Sequence, residues 1–300
     1  MSARILITGG SGLLGLNWAI KIKKTHEVIL GVHRRAVSLS DLKTQQLSLE
    51  SVDSFVETLD RIKPDYVIHA AGLASVELCE AKPDLAHHIN VKLSENVARA
   101  CMLRGVQLAH ISTDHLFRGD REFLDEDSAV DPINIYGKTK AEAEVRVQEA
   151  CAQALVIRTN FYGWGPSYRQ SFSDWVLSNL KMGHPITLFD DVFFSPIYVG
   201  VLVEIVHKLF DKFATGTFNV VGDQRVSKYQ FAMQLSSTFG LDNKVVCRGS
   251  VHSQQNRVVR PRDMSLSNKK LKQELGIQVG GIKEHLSMMA ESQCYELTVL

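Results

Sequence analysis

The features that this chain lacks exclude several classes of protein. Its five cysteines are odd in number and scattered, with no CxxC pair, which argues against a disulfide framework and against a zinc site. Lys and Arg form no long block and the net charge is +1, so neither nucleic acid nor an anionic membrane surface is an expected partner. We therefore expect reduced thiols, no metal site and a small-molecule ligand.

Long apolar segments and repeats are also missing. No apolar run approaches the ~20 residues that a membrane span needs, and the N-terminus shows no signal-peptide pattern. The chain of 300 residues is 45% hydrophobic, enough for one large α/β unit or two modest domains. We expect a soluble, cytoplasmic protein without membrane contact.

The first 160 residues alternate short β-branched runs with helical patterns, which is typical of parallel βαβ units. The strand candidates are "RILITGG", "EVILGVHR", "DYVIHAAG", "QLAHISTD" and "ALVIRTN". The pattern becomes irregular after Asn160, and strand-like "GTFNVVG" follows near residue 216. This predicts an α/β fold: a Rossmann-type doubly wound parallel sheet (1–160 plus about 190–222) with a smaller interleaved C-terminal substrate lobe (about 161–189 and 223–300).

Three glycines follow the first predicted strand and open the first predicted helix. Gly9, Gly12 and Gly15 form G-x-x-G-x-x-G. Glycine there permits a tight turn and close backbone approach to a pyrophosphate, while the helix N-terminus offers free N–H donors and a positive dipole end. The alternative is an ordinary strand-to-helix turn. The strand-to-helix context favours a dinucleotide site.

A tyrosine and a lysine four residues apart, Tyr136 and Lys140, form Y-x-x-x-K on a predicted helix and share one face of it. A nearby ammonium is expected to lower the tyrosine pKa from about 10, which suits proton transfer near neutral pH. By itself the pattern also fits an exposed Tyr and a solvated Lys. Two further features favour a catalytic pair. The pattern follows a glycine loop, and Ser112 and Thr113 stand at a strand end between that loop and Tyr136.

Together these residues resemble the extended short-chain dehydrogenase/reductase family. Further segments are similar to dTDP-4-dehydrorhamnose reductases: "KPDYVIHAAG", "STDHLFRG", "YGKTKAEAE", "SPIYVGVLVE", "GTFNVVG" and "RPRDMSLSNKKL". The resemblance implies that Thr113 hydrogen-bonds the reacting carbonyl and that Tyr136 donates the proton. It also implies that Lys140 holds the nicotinamide ribose while tuning Tyr136, and that Asn90 stands near the place of the family's active-site asparagine.

The end of the second predicted strand bears on cofactor choice. It reads His33-Arg34-Arg35, where an NAD-preferring enzyme usually places an acid on the ribose 2′-hydroxyl. Arginines fit a 2′-phosphate, so we expect NADP(H), with NAD(H) as the alternative. The expected cofactor-binding residues are Gly9, Gly12, Leu13, Leu14, Gly15, His33, Arg34, Arg35, Ser48, Leu49, Ala70, Ala71, Gly72, Asn90, Tyr136 and Lys140.

The chain departs from the rhamnose-forming reductases at the substrate side. His115 replaces the tyrosine of Ser-Thr-Asp-Tyr, and the family's tryptophan is replaced by Phe161 or displaced to Trp164. His115 could act as a second acid or base, as epimerisation next to a ketone requires, or be a hydrogen-bonding side chain with its tautomer fixed by Asp114. The expected substrate residues are Ser112, Asp114, His115, Asn160, Phe161, Trp164 and Arg262.

The function implied by the resemblance is that of an oxidoreductase in carbohydrate biosynthesis. It would reduce a nucleotide-activated 4-keto-6-deoxy sugar with NADPH, the hydride coming from nicotinamide and the proton from Tyr136. One alternative is a sugar-nucleotide epimerase or dehydratase of the same fold, although the Glu of the dehydratases is absent after Asp114. Another is a non-catalytic regulatory subunit resembling the methionine adenosyltransferase β-subunit. A nucleotide-sugar substrate is the expected partner, and a homodimer is left open.

Overall fold

Short apolar runs form the strands, and the longer stretches between them form helices. The computed structural model describes residues 2–33, 35, 37, 42–253 and 258–292. Its strands are β1 (Arg4–Thr8), β2 (Glu27–Val32), β3 (Lys43–Gln46), β4 (Tyr66–His69), β5 (Gln107–Ile111), β6 (Leu155–Arg158), β7 (Phe161–Tyr162), β8 (Ile186–Phe189), β9 (Phe193–Phe194), β10 (Ile197–Tyr198), β11 (Gly216–Asn219), β12 (Val226–Ser227), β13 (Val246–Gly249) and β14 (Asp263–Met264).

The described residues also form α-helices and one irregular turn. The α-helices are α1 (Leu13–Ile22), α2 (Val52–Ile62), α3 (Val76–Ala81), α4 (Pro83–His87), α5 (Leu93–Arg104), α6 (Ile135–Ala150), α7 (Phe172–Met182), α8 (Val199–Asp211), α9 (Lys228–Thr238), α10 (Lys269–Leu275) and α11 (Ile282–Glu291). A π-helical turn, His88–Lys92, joins α4 to α5. The helical run from Pro83 to Arg104 is therefore interrupted around Asn90.

The large sheet contains seven strands in the order β11-β6-β5-β4-β1-β2-β3, all parallel. The chain builds β1, β2 and β3 outward to one edge and then returns to place β4 on the other side of β1. The strand order therefore reverses between β1 and β4. In open α/β sheets, ligands bind at the carboxyl ends of the strands at such a point. The predicted Rossmann-type doubly wound fold is confirmed.

Both faces of the large sheet are covered, as a parallel sheet requires. Successive residues of β1 point to opposite faces. Ile5 and Ile7 join a core that contains Trp18 of α1, whereas Leu6 joins a second core with Phe55 of α2. All five side chains are fully buried. Burial of each aliphatic or phenyl side chain stabilises the fold by about 1.5–3 kcal/mol relative to exposure.

After β6 the chain leaves the large sheet and builds smaller sheets beside it. β7 pairs with β10, β9 with β12 and β14, and β8 with β13. β11 then returns to the edge of the large sheet, with Phe218 opposite Ile157 of β6. The smaller C-terminal lobe is therefore interleaved with the sheet, as predicted. The boundaries placed near residues 160, 190 and 222 stay a prediction.

Three further properties bear on the class of protein. Among the described helices, none is long and apolar enough to cross a membrane. In the described ranges, no group of three or more His, Cys, Asp or Glu side chains could hold a metal ion. Cys79, Cys101 and Cys151 are buried and Cys247 is exposed, all as free thiols.

Candidate active site

The glycine loop joins β1 to α1 and packs directly on the backbone that follows β4. Gly9 has a positive φ of 70°, and a Cβ there would lie 2.7 Å from the amide nitrogen of Ala71 and 2.8 Å from the carbonyl of Ala70. The amide of Gly12 donates to the carbonyl of Gly9 at 2.8 Å. No side chain caps α1, so its first N–H groups remain free for an anion.

A cavity of about 140 Å³, which we call the glycine-loop cleft, opens at this end of the sheet. It brings together most of the residues expected to bind a dinucleotide. Its lining comprises Gly9, Gly12, Leu13, Leu14, Gly15, Ala70, Ala71, Gly72, Leu73, Ala74, Asn90, Ile111, Ser112, Tyr136, Lys140, Phe161 and Arg169. Arg169, which the sequence reasoning missed, reaches the cleft from the irregular segment after β7.

The remaining cofactor candidates that the structure describes lie outside the cleft lining. His33 is exposed just after β2, and Arg35 places its guanidinium 4.0 Å from the centre of the Tyr168 ring. Arg34 lies outside the described residues. Ser48 and Leu49 follow β3, and the carbonyl of Leu49 accepts a hydrogen bond from the Asn96 amide at 2.9 Å. Their expected roles toward adenosine stay a prediction.

The first turn of α6 places Tyr136 beside the cleft. Asn134 caps the helix by accepting from the amide of Gly137 at 2.9 Å. A Cβ at Gly137 would lie 2.3 Å from the carbonyl oxygen of His115, so only glycine permits this close approach. One turn later, Lys140 is buried, and its Nζ donates to the Ile111 carbonyl at 2.7 Å.

Burial, not the ammonium, sets the protonation of Tyr136. Desolvation raises the pKa of Tyr136 to about 12, although a hydrogen bond with Thr113 acts in the opposite direction. Burial also lowers the pKa of Lys140 to about 8, against the pull of Glu144. The expectation that Lys140 lowers the tyrosine pKa was therefore wrong. Tyr136 keeps its proton at neutral pH, which is the form that a proton donor requires.

The neutral imidazole of His110 lies beneath Lys140. Burial lowers the pKa of His110 well below its ordinary value, so its ring can accept a hydrogen bond at neutral pH. Its Nε2 lies 3.3 Å from Lys140 Nζ. With Ile111 and His110 as acceptors, two of the three ammonium protons are engaged and one remains for a ligand.

Asn90 ties the loop after β4 to α6. Its Oδ1 accepts from the amide of Leu73 at 2.7 Å, and its Nδ2 donates to the Leu73 carbonyl at 3.1 Å and to Thr139 Oγ1 at 3.0 Å. The π-helical turn around it shifts the helix register, and such turns are frequent at functional sites. Asn90 is buried at the cleft wall.

The segment after β5 carries Thr113, Asp114 and His115. The His115 ring stands edge-on to Tyr136, with 5.5 Å between the ring centres. Burial lowers the pKa of His115, so it is neutral at neutral pH. Asp114 accepts a hydrogen bond from Asn160 at 2.5 Å, while its other oxygen lies 3.9 Å from His115 Nε2. The alternative in which Asp114 fixes the His115 tautomer was wrong, because that distance is beyond a hydrogen bond.

A second cavity of about 870 Å³, the large cavity, lies between the sheet and the smaller lobe. His115 and Arg262 line it, whereas Ser112 and Phe161 line the glycine-loop cleft. Its other lining residues are Ala74, Ser75, Val76, Glu77, Phe172, Trp175, Thr187, Leu188, Phe189, Val192, Lys228, Val251, His252, Val258, Val259, Arg260, Pro261 and Met264. The sequence reasoning assigned no role to Lys228, Phe172 or Trp175.

Trp164 lines neither cavity. Its indole nitrogen donates to the Met289 carbonyl at 3.2 Å and to Ser292 Oγ at 2.9 Å, and its ring meets Phe239 edge-on. These contacts tie the segment after β7 to α11. The structure therefore gives Trp164 a packing position between elements of the smaller lobe.

A parallel sheet with a glycine loop at its switch point, and Thr113, Tyr136 and Lys140 beside it, defines an α/β protein of the extended short-chain dehydrogenase/reductase type. The model of the family described as "RmlD substrate binding domain" matches residues 3–294. The chain belongs to this family.

Individual relatives agree with this assignment. The probable low-salt glycan biosynthesis reductase Agl14 of Haloferax volcanii is 27% identical over 287 residues, covering 94% of this chain and 96% of that protein. The methionine adenosyltransferase 2 subunit beta of Rattus norvegicus is 28% identical over 311 residues, covering 95% and 87%. The crystal structure of dTDP-4-dehydrorhamnose reductase from Bacillus anthracis, in complex with NADP, superposes with a TM-score of 0.86 at 27% identity, covering 97% and 99%. The resemblance identified from the sequence is confirmed.

The close approach at Gly9 predicts the effect of a single methyl group. Gly105 has a similar φ of +63° but open space around it, so Gly105→Ala should cost only backbone strain, about 1–2 kcal/mol. Gly9→Ala adds overlap with the Ala70–Ala71 backbone and should lower the free energy of unfolding by more. Urea denaturation of both variants measures the difference. Equal decreases in the free energy of unfolding of the two variants would contradict the packing of the glycine loop on the Ala70–Ala71 backbone.

Proposed function

We propose that the chain is an NADPH-dependent reductase of a nucleotide-activated 4-keto-6-deoxy sugar. The observation that carries the proposal is the position of Tyr136. Its side chain lines the glycine-loop cleft, and its ring meets His115, which lines the large cavity. A protonated phenol therefore stands where a dinucleotide site and a larger substrate site meet. Two relatives, a probable glycan biosynthesis reductase and a dTDP-4-dehydrorhamnose reductase, support the same reaction class.

The residues of the cleft fit a dinucleotide. The uncapped N-terminus of α1, which opens onto the cleft at Gly12 and Leu13, suits a pyrophosphate. The free proton of the Lys140 ammonium suits a ribose hydroxyl. His33 and Arg35, at the end of β2, suit the 2′-phosphate that distinguishes NADP from NAD. The relative from Bacillus anthracis contains NADP in its crystal structure, which supports this cofactor.

The catalytic step uses Tyr136 in its protonated form. When bound, the nicotinamide supplies a hydride to the carbonyl carbon of the sugar. Tyr136 gives its proton to the carbonyl oxygen, and Thr113 stabilises the developing negative charge by a hydrogen bond. Lys140 holds its own position through the Ile111 carbonyl and orients the ribose.

The large cavity suits a nucleotide sugar. Its volume of about 870 Å³ lies within the range of small-molecule sites. Phe172 and Trp175, whose rings stack with centres 6.4 Å apart, offer an apolar wall for a base or sugar face. Arg262, at the cavity rim, offers a guanidinium to the diphosphate. The buried free thiols agree with a reducing compartment, and we propose the cytoplasm.

Two other functions have specific support. The neutral His115 ring beside Tyr136 is a candidate base, which favours a sugar-nucleotide epimerase. The similarity to the rat methionine adenosyltransferase subunit favours a regulatory role without catalysis. Tyr136 and Lys140 line one cleft and Thr113 hydrogen-bonds Tyr136, which favours the reductase over both.

The proton donor is tested by Tyr136→Phe, which removes one hydroxyl and leaves the ring. Turnover of dTDP-4-dehydrorhamnose, followed by NADPH oxidation, should fall roughly 10²–10⁴-fold, while NADPH affinity stays close to wild type. Tyr66→Phe is the matched control, because Tyr66 stacks on Phe210 away from both cavities. Near-normal turnover in Tyr136→Phe would show that Tyr136 is not the proton donor.

The cofactor preference is tested at Arg35. Wild-type protein should bind NADPH about 10-fold or more tightly than NADH, since a charge-assisted hydrogen bond contributes about 1.5–3 kcal/mol. Arg35→Ala should lower the ratio of the NADPH affinity to the NADH affinity. Fluorescence titration of both cofactors measures this ratio. Arg248→Ala is the control, because Arg248 also lies over a tyrosine ring, that of Tyr229 at 4.8 Å. Equal wild-type affinities for the two cofactors would refute the preference.

A further inference from the structure

Lys228 begins α9 and presents its ammonium to the large cavity. The Nζ atom lies 3.3 Å from the centre of the Phe194 ring and 5.0 Å from that of Phe172. Among the described residues, no carboxylate lies within 4.0 Å of it, the distance that defines an ion pair. Asp114, whose Oδ2 accepts from Asn160, acts on Lys228 through space and makes no hydrogen bond with it.

This position is costly for a positive charge. The side chain is half-buried among aromatic rings, and desolvation lowers the pKa of Lys228 to about 8. The residue also occupies the first turn of an 11-residue helix, where the dipole disfavours cations. The two aromatic contacts offset part of this cost. A methionine would fill the same space without any charge, so the ammonium is not explained by packing.

The surrounding wall is also poor in negative charge. His252, Arg260 and Arg262 line the same cavity as Lys228. Glu77 is the one carboxylate among the described lining residues, and it is paired with Arg260. An anion entering the cavity would therefore meet Lys228 without competition from a carboxylate of the wall.

We propose that the ammonium of Lys228 binds an anionic oxygen of the substrate, which makes Lys228 a specificity-determining residue. The inference takes the class of substrate from the proposed function. It adds which group of that substrate the protein recognises. Lys228 lines the same cavity as His115, whose ring meets Tyr136, and its charge acts on both His115 and Asp114, so it belongs to the part of the cavity that adjoins Tyr136. Two anions of a sugar nucleotide could reach this end: the diphosphate, or a carboxylate on the sugar.

The test compares three probes by isothermal titration calorimetry at pH 7: inorganic pyrophosphate, UDP-glucose and UDP-glucuronate. The full chain is titrated as wild type, Lys228→Met and Lys244→Met. Lys244 is the control, because its side chain is 86% exposed. Thermal melting establishes that each variant is folded, and Lys228→Gln replaces Lys228→Met if the latter is not.

Loss of a charge-assisted contact should weaken binding about 10- to 100-fold. If the diphosphate is the anion, Lys228→Met weakens all three probes. If a sugar carboxylate is the anion, only UDP-glucuronate is weakened, and the sugar would then be a uronic acid in place of the 6-deoxy sugar proposed above. Lys244→Met changes neither result. The proposal is overturned if Lys228→Met binds every probe within about twofold of wild type, or if wild type binds none of them.

These titrations contain no cofactor and no reducible ketone. Their result therefore does not depend on whether the protein is a reductase. Wild-type NADPH oxidation together with unchanged anion affinity in Lys228→Met would remove only the role of Lys228. Weakened anion binding in Lys228→Met, with no NADPH oxidation by wild type, would leave Lys228 as an anion contact and remove the proposed function.

Discussion

The site depends on one backbone contact, that of Gly9 with the Ala70–Ala71 peptide. This contact joins the glycine loop to the loop after β4, where the strand order of the sheet reverses. Because no side chain intervenes, the N-terminus of α1 opens directly onto the crevice between the two loops. Asn90 holds the second loop through Leu73, and also bonds Thr139 of α6. The helix that carries Tyr136 is thereby tied to the same crevice.

Desolvation then determines what these groups can do. Burial disfavours the charged form of each, so it raises the pKa of Tyr136 to about 12 and lowers that of Lys140 to about 8. It also keeps His115 and His110 neutral at neutral pH. The result is a proton donor that retains its proton and a lysine held by neutral acceptors. The same physics leaves Lys228, without a carboxylate partner among the described residues, dependent on an anion from outside the chain.

Local patterns in the sequence predicted the parts of the site that local geometry controls. The glycine loop is set by a strand followed at once by a helix, and the pairing of Tyr136 with Lys140 is set by helical spacing. The Rossmann-type order followed from the alternation of strands and helices. The residues of the glycine loop and of the Tyr136–Lys140 pair lie within a few positions of one another, and the sheet order needed only the repeating pattern of its elements.

Contacts between distant segments could not be predicted in this way. Trp164 bonds Met289 and Ser292, which lie more than 120 positions further along the chain, so its packing role depends on how the lobe folds back. Lys228, Phe172 and Arg169 reach the cavities from separate elements. The tyrosine pKa was predicted with the wrong sign because the sequence shows a neighbouring lysine but not the depth of burial, which outweighs it.

The most direct test of the central claim follows the two hydrogens separately. The protein is incubated with dTDP-4-dehydrorhamnose and NADPH deuterated at the transferring position, and in a second reaction with unlabelled NADPH in D₂O. The account predicts deuterium from NADPH on the former carbonyl carbon, and none from D₂O on the carbons that flank it. Solvent deuterium on a flanking carbon, lost in His115→Ala, would instead show proton exchange of the epimerase type. Absence of any transfer from NADPH would contradict the reductase assignment.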